Sequence, residues 1–436
     1  MLENFTKHIT THFPFLTQKK LLVAVSGGLD SVVLAKICSE ATFSFAIAHC
    51  NFQLRDAESD QDEVFVATLA NELKVLTHIQ RFNTEMYANE HKISIQMAAR
   101  KLRYDWFQEL IKEFNYDFIL TAHHKDDMLE TFLINLSRGT GIEGLTGIPE
   151  QNGNIIRPLL AFSRSEIQKF AEAKQLSWRE DSSNASTKYV RNKIRHEIVP
   201  KLKELHPSFL ANFEKTQEHL RESEFIIKDT ITKLREKLVK KISEDIYQIK
   251  IATIHNLSHP KAYLYELLKV YGFTSWTDVI DLLEGQTGKQ IFSKEFRLIK
   301  NREYLLLQRQ SENEQSTEFL IPNLISSIQK PIQLHIEEVT QITNTSNTVL
   351  YLDKEMLKFP LIVRKWQKGD YFYPVGMKGK KKLSKYFKDE KYSLIEKEQQ
   401  WLLCNENDIV WIIGKRSDNR YKITQPTNTI IKLTLQ

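Results

Sequence analysis

Apolar and polar positions change rhythm along this chain. Leu21–Val25 is an unbroken apolar run, the pattern of a strand buried on both faces, and Val32–Cys38 continues as a helix. Ser44–His49 predicts a second strand, 58–75 a helix and Val75–Phe82 a weaker strand. Ser94–Phe114 carries apolar residues at helical spacing, with Ser94 placed to cap it. Asp117–Ala122 predicts a further strand, followed by a helix over 125–137, and Ser163–Glu166 spells a capping box that opens another helix. Strands alternating with helices imply a mostly parallel sheet with helices on both faces. From about 207 the texture changes. Residues 208–244 read as long charged helices, and a mixed stretch ends in apolar runs near 291–308. Residues 310–318 are polar and linker-like. Short strands and turns follow, with Trp401–Cys404 and Ile409–Gly414 as a pair. The expected architecture is therefore a doubly wound α/β domain over 1–205, a mostly helical middle domain over 206–320 and a small α+β domain over 335–436.

Composition narrows the class. Of 436 residues, 41% are apolar and 27% charged, which excludes collagen-like and disordered chains. Only Cys38, Cys50 and Cys404 occur, with no CxxC, so a disulfide framework, a structural zinc site and an iron–sulfur cluster are not expected. No apolar run approaches the ~20 residues of a membrane helix, and the N-terminus lacks the order of a secretory signal. The default is a cytoplasmic protein without membrane contact. Net charge is +6, yet residues 341–436 alone sum to +8, leaving −2 for the rest. Positive charge gathered at one end suggests a polyanion partner there.

The candidate chemistry starts at Ser26-Gly27-Gly28-Leu29-Asp30-Ser31, between the first strand and its helix. Two glycines allow a tight turn and close backbone approach. The helix N-terminus offers free N–H groups, and the serines add hydroxyls, which together cradle an anion. Asp30 would repel phosphate unless a Mg²⁺ lay between them. A Gly-Gly turn with ordinary helix caps is the plainer alternative. No GK[ST] follows, so this is not a Walker A loop. Gly139–Gly144 matches GxGxxG, but it follows a helix and not a strand, which excludes a dinucleotide site and leaves a glycine loop flanking the cleft.

Ligands of open α/β sheets bind outside the carboxyl ends of the strands. His49, Asn51 and Arg55 stand there, and so does the block Thr121–Thr131. On a helix, His123, Asp127, Glu130 and Thr131 would share one face. Such a face suits an acidic pocket for a cationic substrate, one carboxylate accepting its proton. A transition-metal site and a plainly capped helix are the alternatives. Gln96, Arg100 and Arg103 form a stripe on the 94–114 helix, where arginines could neutralise a triphosphate.

SGGLDS (26–31), HCNFQLR (49–55), QMAARKLRY (96–104), TAHHKDDMLET (121–131), RGTGIEGLTGI (138–148), RPLL (157–160) and WREDSSNASTKYVRNKIRHEIVP (178–200) together resemble the PP-loop ATP pyrophosphatase superfamily. Within it they resemble the tRNA(Ile)-lysidine synthetase family. The likeness is strong over the first 200 residues, weak through 206–310, and returns at 364–391. Phe52-Gln53 stands where many members have His-Gly, and Met128 where Gln is frequent.

The resemblance implies a PP-loop fold and a two-step reaction. ATP adenylates the C2 oxygen of the first anticodon cytidine of a tRNA(Ile) with a CAU anticodon. The ε-amine of free L-lysine then displaces AMP, and codon reading changes from AUG to AUA. It further implies ATP binding by Ser26, Gly27, Gly28, Leu29, Asp30, Ser31, His49 and Asn51, with Asp30 as Mg²⁺ ligand. Lysine would meet Asp127, Glu130 and His123, with Asp127 and Glu130 as proton acceptors. Arg100 would stabilise charge at the α-phosphate. Arg191, Arg195, Lys378, Lys380, Lys381, Lys382 and Lys385 would meet tRNA, with a solvated face as the alternative for Arg191 and Arg195, and a homodimer is compatible with all of this. Seven lysines lie between 378 and 391, beside Tyr371, Phe372, Tyr373, Tyr386 and Phe387, which either stack on bases or form a core. Three rivals stand against this reading. A tRNA thiolase would need cysteine chemistry. A glutamine-dependent synthetase would need a nucleophile after Met1. A non-catalytic RNA-binding protein would have no use for Asp30, Asp127 and Glu130 together.

Overall fold

The computed structural model describes residues 1–180, 190–310, 318–323, 326–343, 345–424 and 427–436. They form two compact units, Met1–Lys228 and Asp229–Gln436.

The first unit holds strands β1 (Leu21–Ala24), β2 (Phe45–Asn51), β3 (Thr77–Arg81), β4 (Phe118–Leu120), β5 (Gln151–Asn152) and β6 (Ile155–Ile156) in the order β3-β2-β1-β4-β6-β5. All neighbours pair in parallel except β5 with β6. Its helices are α1 (Leu2–His12), α2 (Leu29–Glu40), α3 (Asp56–Leu73), α4 (Thr84–His91), α5 (Ile95–Phe114), α6 (Lys125–Arg138), α7 (Ile142–Leu145), α8 (Arg164–Ala173), α9 (Val190–Lys193) and α10 (Val199–Leu205), with a π turn over Ile194–Ile198. α11 (Phe209–Leu238) carries the chain onward.

Strand side chains alternate between faces. Leu21, Val23, Phe45 and Ile47 pack with Phe5, Leu34, Val66 and Ile167 on one side of the sheet. Leu22, Ala46, Ala48 and Ile119 pack with Trp106, Phe107 and Leu110 of α5 on the other. The doubly wound N-terminal reading holds. The 94–114 helix is capped by the Ser94 hydroxyl, and Ser163 with Glu166 forms the expected capping box. α4 and the β5–β6 hairpin went unread. α4 buries only Thr84 and Ala88, and two-residue strands carry no period.

The expectation of a mostly helical middle domain is corrected. α11 stops at Leu238, and the chain enters β7 (Val239–Ser243) and β8 (Ile246–Lys250). After α12 (Ile251–His255), α13 (Pro260–Leu268) and α14 (Trp276–Asp281) come β9 (Gln290–Phe292), β10 (Phe296–Asn301) and β11 (Tyr304–Arg309). These strands form one antiparallel sheet, β7-β8-β11-β10-β9.

The second unit continues through β12 (Phe319–Ile321), β13 (Ser327–Ile328), β14 (Leu334–Val339), β15 (Val349–Asp353), β16 (Leu361–Lys365), β17 (Tyr371–Phe372) and β18 (Lys381–Lys382). Two short helices follow, α15 (Leu383–Asp389) and α16 (Leu394–Gln399), and then β19 (Trp401–Asn405), β20 (Asp408–Ile412), β21 (Arg416–Ser417) and β22 (Ile430–Leu435). The strands make sheets β12-β16-β19-β20-β21 and β13-β14-β22-β15, with β17–β18 as a ribbon. β19 and β20 pair as the apolar runs predicted. Ile395 of α16 packs on Ile246, Ile299 and Leu306, so the middle sheet and the C-terminal part share a core. Among the described residues, no helix is long and apolar enough to cross a membrane.

Candidate active site

β1 ends in a turn at Gly27, whose φ of +95° favours glycine. Gly28 is extended and caps α2. The Ser31 hydroxyl donates to the Gly28 carbonyl at 2.9 Å and accepts the Ser26 N–H at 3.2 Å, and the two hydroxyls lie 3.2 Å apart. Leu29 points into the core, so its part in the loop is backbone. The Arg179 N–H donates to the Gly27 carbonyl at 2.9 Å, which ties a distant segment to the turn.

Asp30 opens α2 at the mouth of this loop. Its Oδ2 lies 3.2 Å from Arg164 Nη1 and 3.6 Å from His124 Nε2. Its Oδ1 is buried without a hydrogen-bond partner. An anionic oxygen left bare beside a phosphate cradle fits a Mg²⁺, which takes one or two protein carboxylates and completes its shell with phosphate oxygens and water.

The acidic block is built differently from the reading of one helical face. α6 begins at Lys125, so His123 lies before the helix and His124 is its cap. Asp127 Oδ2 accepts the His124 N–H at 3.0 Å. His123 turns aside to Thr121, with Nδ1 and Oγ1 3.1 Å apart. Asp127 and Glu130 do come together, and Arg191 and Arg195 close on them. Arg191 reaches Glu130 Oε2 at 2.8 Å and Asp127 Oδ1 at 2.9 Å. Arg195 reaches Glu130 Oε1 at 2.6 Å and Oε2 at 3.0 Å, and Asp127 Oδ1 at 3.1 Å. The two arginines expected on a tRNA track thus join the acidic pair. Asp126 is buried as well, accepting the Arg164 N–H at 2.9 Å and pairing with Lys203. Among the described residues no cluster of three His, Cys, Asp or Glu side chains is arranged to hold a metal, so the transition-metal alternative gains no support.

Electrostatics follow from this crowding. Burial alone would raise the Asp127 carboxyl, but His124, Arg191 and His123 hold it below the ordinary carboxylate range. Burial works against charge on His124, yet Asp127, Asp30 and Asp126 hold it above its ordinary 6.5. Burial pushes His123 down to about 4, so it is neutral at pH 7. A raised histidine lends stability that is complete below about pH 6.5 and lost as pH rises through its folded value. The cost of His124→Gln is therefore expected to be larger at pH 6 than at pH 9. Thermal melts of both proteins across that range check this. Asp127 runs the other way, its share being lost only below about pH 4.

Many of these groups line one cleft of about 890 Å³, while Glu130, His124 and Asp126 are buried and not among its lining residues. Ser26, Asp30, Ser31, Arg164 and Arg179 form one part of its wall, and His123, Asp127, Arg191 and Arg195 another. A third part is largely apolar: Ala24, Ala48, Cys50, Phe52, Tyr104 and Phe107. Pleat alternation explains why His49 and Asn51 are not among the lining residues. They share the face of Phe45 and Ile47, while Ala48 and Cys50 face the cleft. His49 Nδ1 lies 2.9 Å from the Val25 carbonyl, next to the loop, while Asn51 donates to Glu63 of α3 at 2.8 Å. Arg100, expected at the α-phosphate, sits exposed over the Tyr104 ring at 4.9 Å. Arg103, one turn on and in phase with Trp106 and Leu110, lines the cleft and covers Phe52 at 5.2 Å. None of Gly139–Gly144 lines it. Asp62, Arg164, Arg179 and His196 went unread, because nothing local marks them.

In the second unit the five aromatics divide. Phe372, Tyr386 and Phe387 are core, with Leu383 and Leu402. Tyr371 is 41% exposed, and Lys380 Nζ lies 5.2 Å from its ring centre. Lys378, Lys380, Lys382 and Lys385 are exposed, while Lys381 pairs with Asp389 at 2.7 Å.

Comparisons with known proteins agree with this geometry. Residues 1–202 match a family model described as a PP-loop domain, 241–310 a TilS substrate binding domain and 361–433 a TilS substrate C-terminal domain. The tRNA(Ile)-lysidine synthase of Bacteroides thetaiotaomicron is 40% identical over 432 residues, covering 98% of this chain and 97% of that one. That of Parabacteroides distasonis is 39% identical over 437 residues and covers 99% of each. That of Porphyromonas gingivalis W83 is 36% identical, covering 94% of this chain and 92% of that one. With three matched domains and full-length relatives, the chain belongs to the tRNA(Ile)-lysidine synthase family.

Proposed function

We propose that the cleft of the first unit joins free L-lysine to C2 of the first anticodon cytidine of tRNA(Ile), using ATP. The activity itself is the one the family carries: an ATP-dependent ligase that makes lysidine in tRNA(Ile). The observation that carries the assignment to this cleft is Asp30 Oδ1, bare at the phosphate loop of a cavity that is also lined by Asp127 and by the two arginines that join Asp127 to Glu130.

ATP lies with its phosphates on Ser26–Ser31 and its base against the apolar wall of Ala24, Ala48 and Phe52. Mg²⁺, when bound through Asp30, offsets phosphate charge. Arg103 and Arg164 take the part first given to Arg100, meeting charge that develops at the α-phosphate. The cytidine C2 oxygen attacks the α-phosphorus and pyrophosphate leaves. Lysine arrives as an ammonium, with a pKa of ~10.4. It competes with Arg191 and Arg195 for the oxygens of Asp127 and Glu130. Arg191, with 41% of its side chain exposed, gives way more readily. Once one guanidinium leaves, Asp127 loses compensation, and its affinity for a proton rises towards that of an ordinary carboxylate. It then takes the ammonium proton, the free amine attacks C2 and AMP departs.

The thiolase rival finds nothing in this cleft. Burial pushes Cys50, the cysteine among the lining residues, up to about 12, and a protonated thiol neither carries sulfur nor binds a cluster well.

Labelled lysine incubated with tRNA(Ile) carrying CAU, ATP and Mg²⁺ tests the reading. Label entering the RNA only with ATP is expected. Folded protein that transfers none would overturn it.

The exposed lysines of the second unit and Tyr371 serve the tRNA. Stacking on an aromatic contributes about 1–3 kcal/mol per base. Tyr371→Ala is therefore expected to raise the KM for tRNA about tenfold, with the KM for lysine unchanged. Equal KM values for mutant and parent would remove Tyr371 from the interface.

A further inference from the structure

We propose that Asp62 is a positioning residue for the ATP phosphates, holding Arg55 and Arg179 on the cleft wall and, through Arg179, the glycine turn. This rests on the placement of ATP proposed above. α3 presents Ser59, Asp62, Val66, Leu69 and Ala70 to the interior. Periodicity predicts an apolar residue at 62, and the helix places a carboxylate there instead. A buried charge is costly unless paired. Asp62 is paired twice: Oδ2 accepts Arg55 Nη2 at 2.9 Å and Oδ1 accepts Arg179 Nε at 3.1 Å. Arg179 also donates to Gln61 Oε1 at 2.8 Å, and its backbone N–H is the one that holds the Gly27 carbonyl. α3 runs directly beside that turn. A Cβ built on Gly27 would lie 3.6 Å from Phe65, 3.7 Å from Val66 and 3.8 Å from Arg179. Asp62, Arg55 and Arg179 all line the cleft with the serine loop. Glu58 Oε2 also lies 3.9 Å from Arg55 Nη1, and Asp62 is the carboxylate that fixes both guanidiniums at once on the cleft wall, where an anion would meet them. Without it the two cations repel each other, and the Gly27 tie loses its anchor on α3.

The test measures KM for ATP, KM for lysine, kcat and melting temperature for Asp62→Asn, Asp62→Glu and Arg179→Gln, with Ser31→Ala as the loop control. Asp62→Asn and Arg179→Gln are each expected to raise the KM for ATP tenfold or more. KM for lysine and kcat should stay within twofold. Asp62→Glu should recover most of the loss. Loss spread evenly over all three parameters, or an unchanged KM for ATP, overturns the proposal. Arg179 is partly exposed, so if Asp62→Asn fails to fold, Arg179→Gln decides alone. If Ser31→Ala leaves the KM for ATP unchanged as well, the placement of ATP itself is what fails.

Discussion

Asp30→Ala is expected to reduce lysidine formation about a thousandfold or more while leaving the fold and tRNA affinity intact. Two terms add. On the function proposed above its bare Oδ1 would be the oxygen offered to Mg²⁺, and removing a preorganised group of this kind costs about 10²–10³ in rate. Its Oδ2 also holds Arg164 and approaches His124, so both cations lose the anion that orients them towards the phosphates. Stability should change little. Arg164 is largely exposed and can turn to water, and His124 keeps Asp127 and Asp126 as neighbours. Pyrophosphate release and lysine labelling, each beside a melting curve, separate the two effects. More than a tenth of the parent rate in a folded Asp30→Ala protein would take the first step away from this loop. Excess Mg²⁺ should not rescue the variant, because the missing element is a ligand and not the ion.

What the sequence makes legible is what is local. The Ser26–Ser31 loop, the Ser94 cap and the Ser163–Glu166 box are read within six residues, because backbone geometry and a neighbouring hydroxyl are all they need. Strand alternation placed the parallel sheet for the same reason. Pairings over long distances leave no such mark. Arg191 and Arg195 stand more than sixty residues from Asp127 and Glu130 in the chain, and an i, i+4 pair of arginines looks the same on a solvated face as in a buried network. Asp62 reads as one more acid on a charged helix until its two partners are seen. Arg100 and Arg103 share a stripe, and only the position of the helix against the sheet decides which of them enters the cleft. The middle sheet was hidden by α11, whose thirty residues, mostly charged or apolar, dominate the pattern. β7 is an edge strand with mostly exposed residues, so it lacks the alternation that would have announced it. The C-terminal aromatics show the same limit: Tyr371 and Phe372 are adjacent in sequence, yet one is a surface ring and the other a core residue.

Glu130→Gln is expected to be among the most destabilising single substitutions in the first unit, and to cost lysine affinity as well. Glu130 is 1% exposed and accepts three N–H bonds from two guanidiniums. The amide keeps the shape but loses the charge, so Arg191 and Arg195 are left with Asp127 alone. Breaking a buried ion pair from one side costs about 3–5 kcal/mol. Arg191 can swing partly into water, which puts the cost near the lower bound, about 3 kcal/mol. For a unit of this size that is roughly 6–12 °C in melting temperature. The charge pair predicts a contrast with the double variant Glu130→Leu with Arg195→Met. Removing both partners of a buried pair is far milder than removing one, so the double variant should melt above Glu130→Gln. Its activity should not return with its stability, because half of the carboxylate pair proposed to receive the lysine ammonium is still missing. A double variant that recovers both stability and a normal KM for lysine would show that Glu130 serves the fold alone. The lysine site would then rest on Asp127.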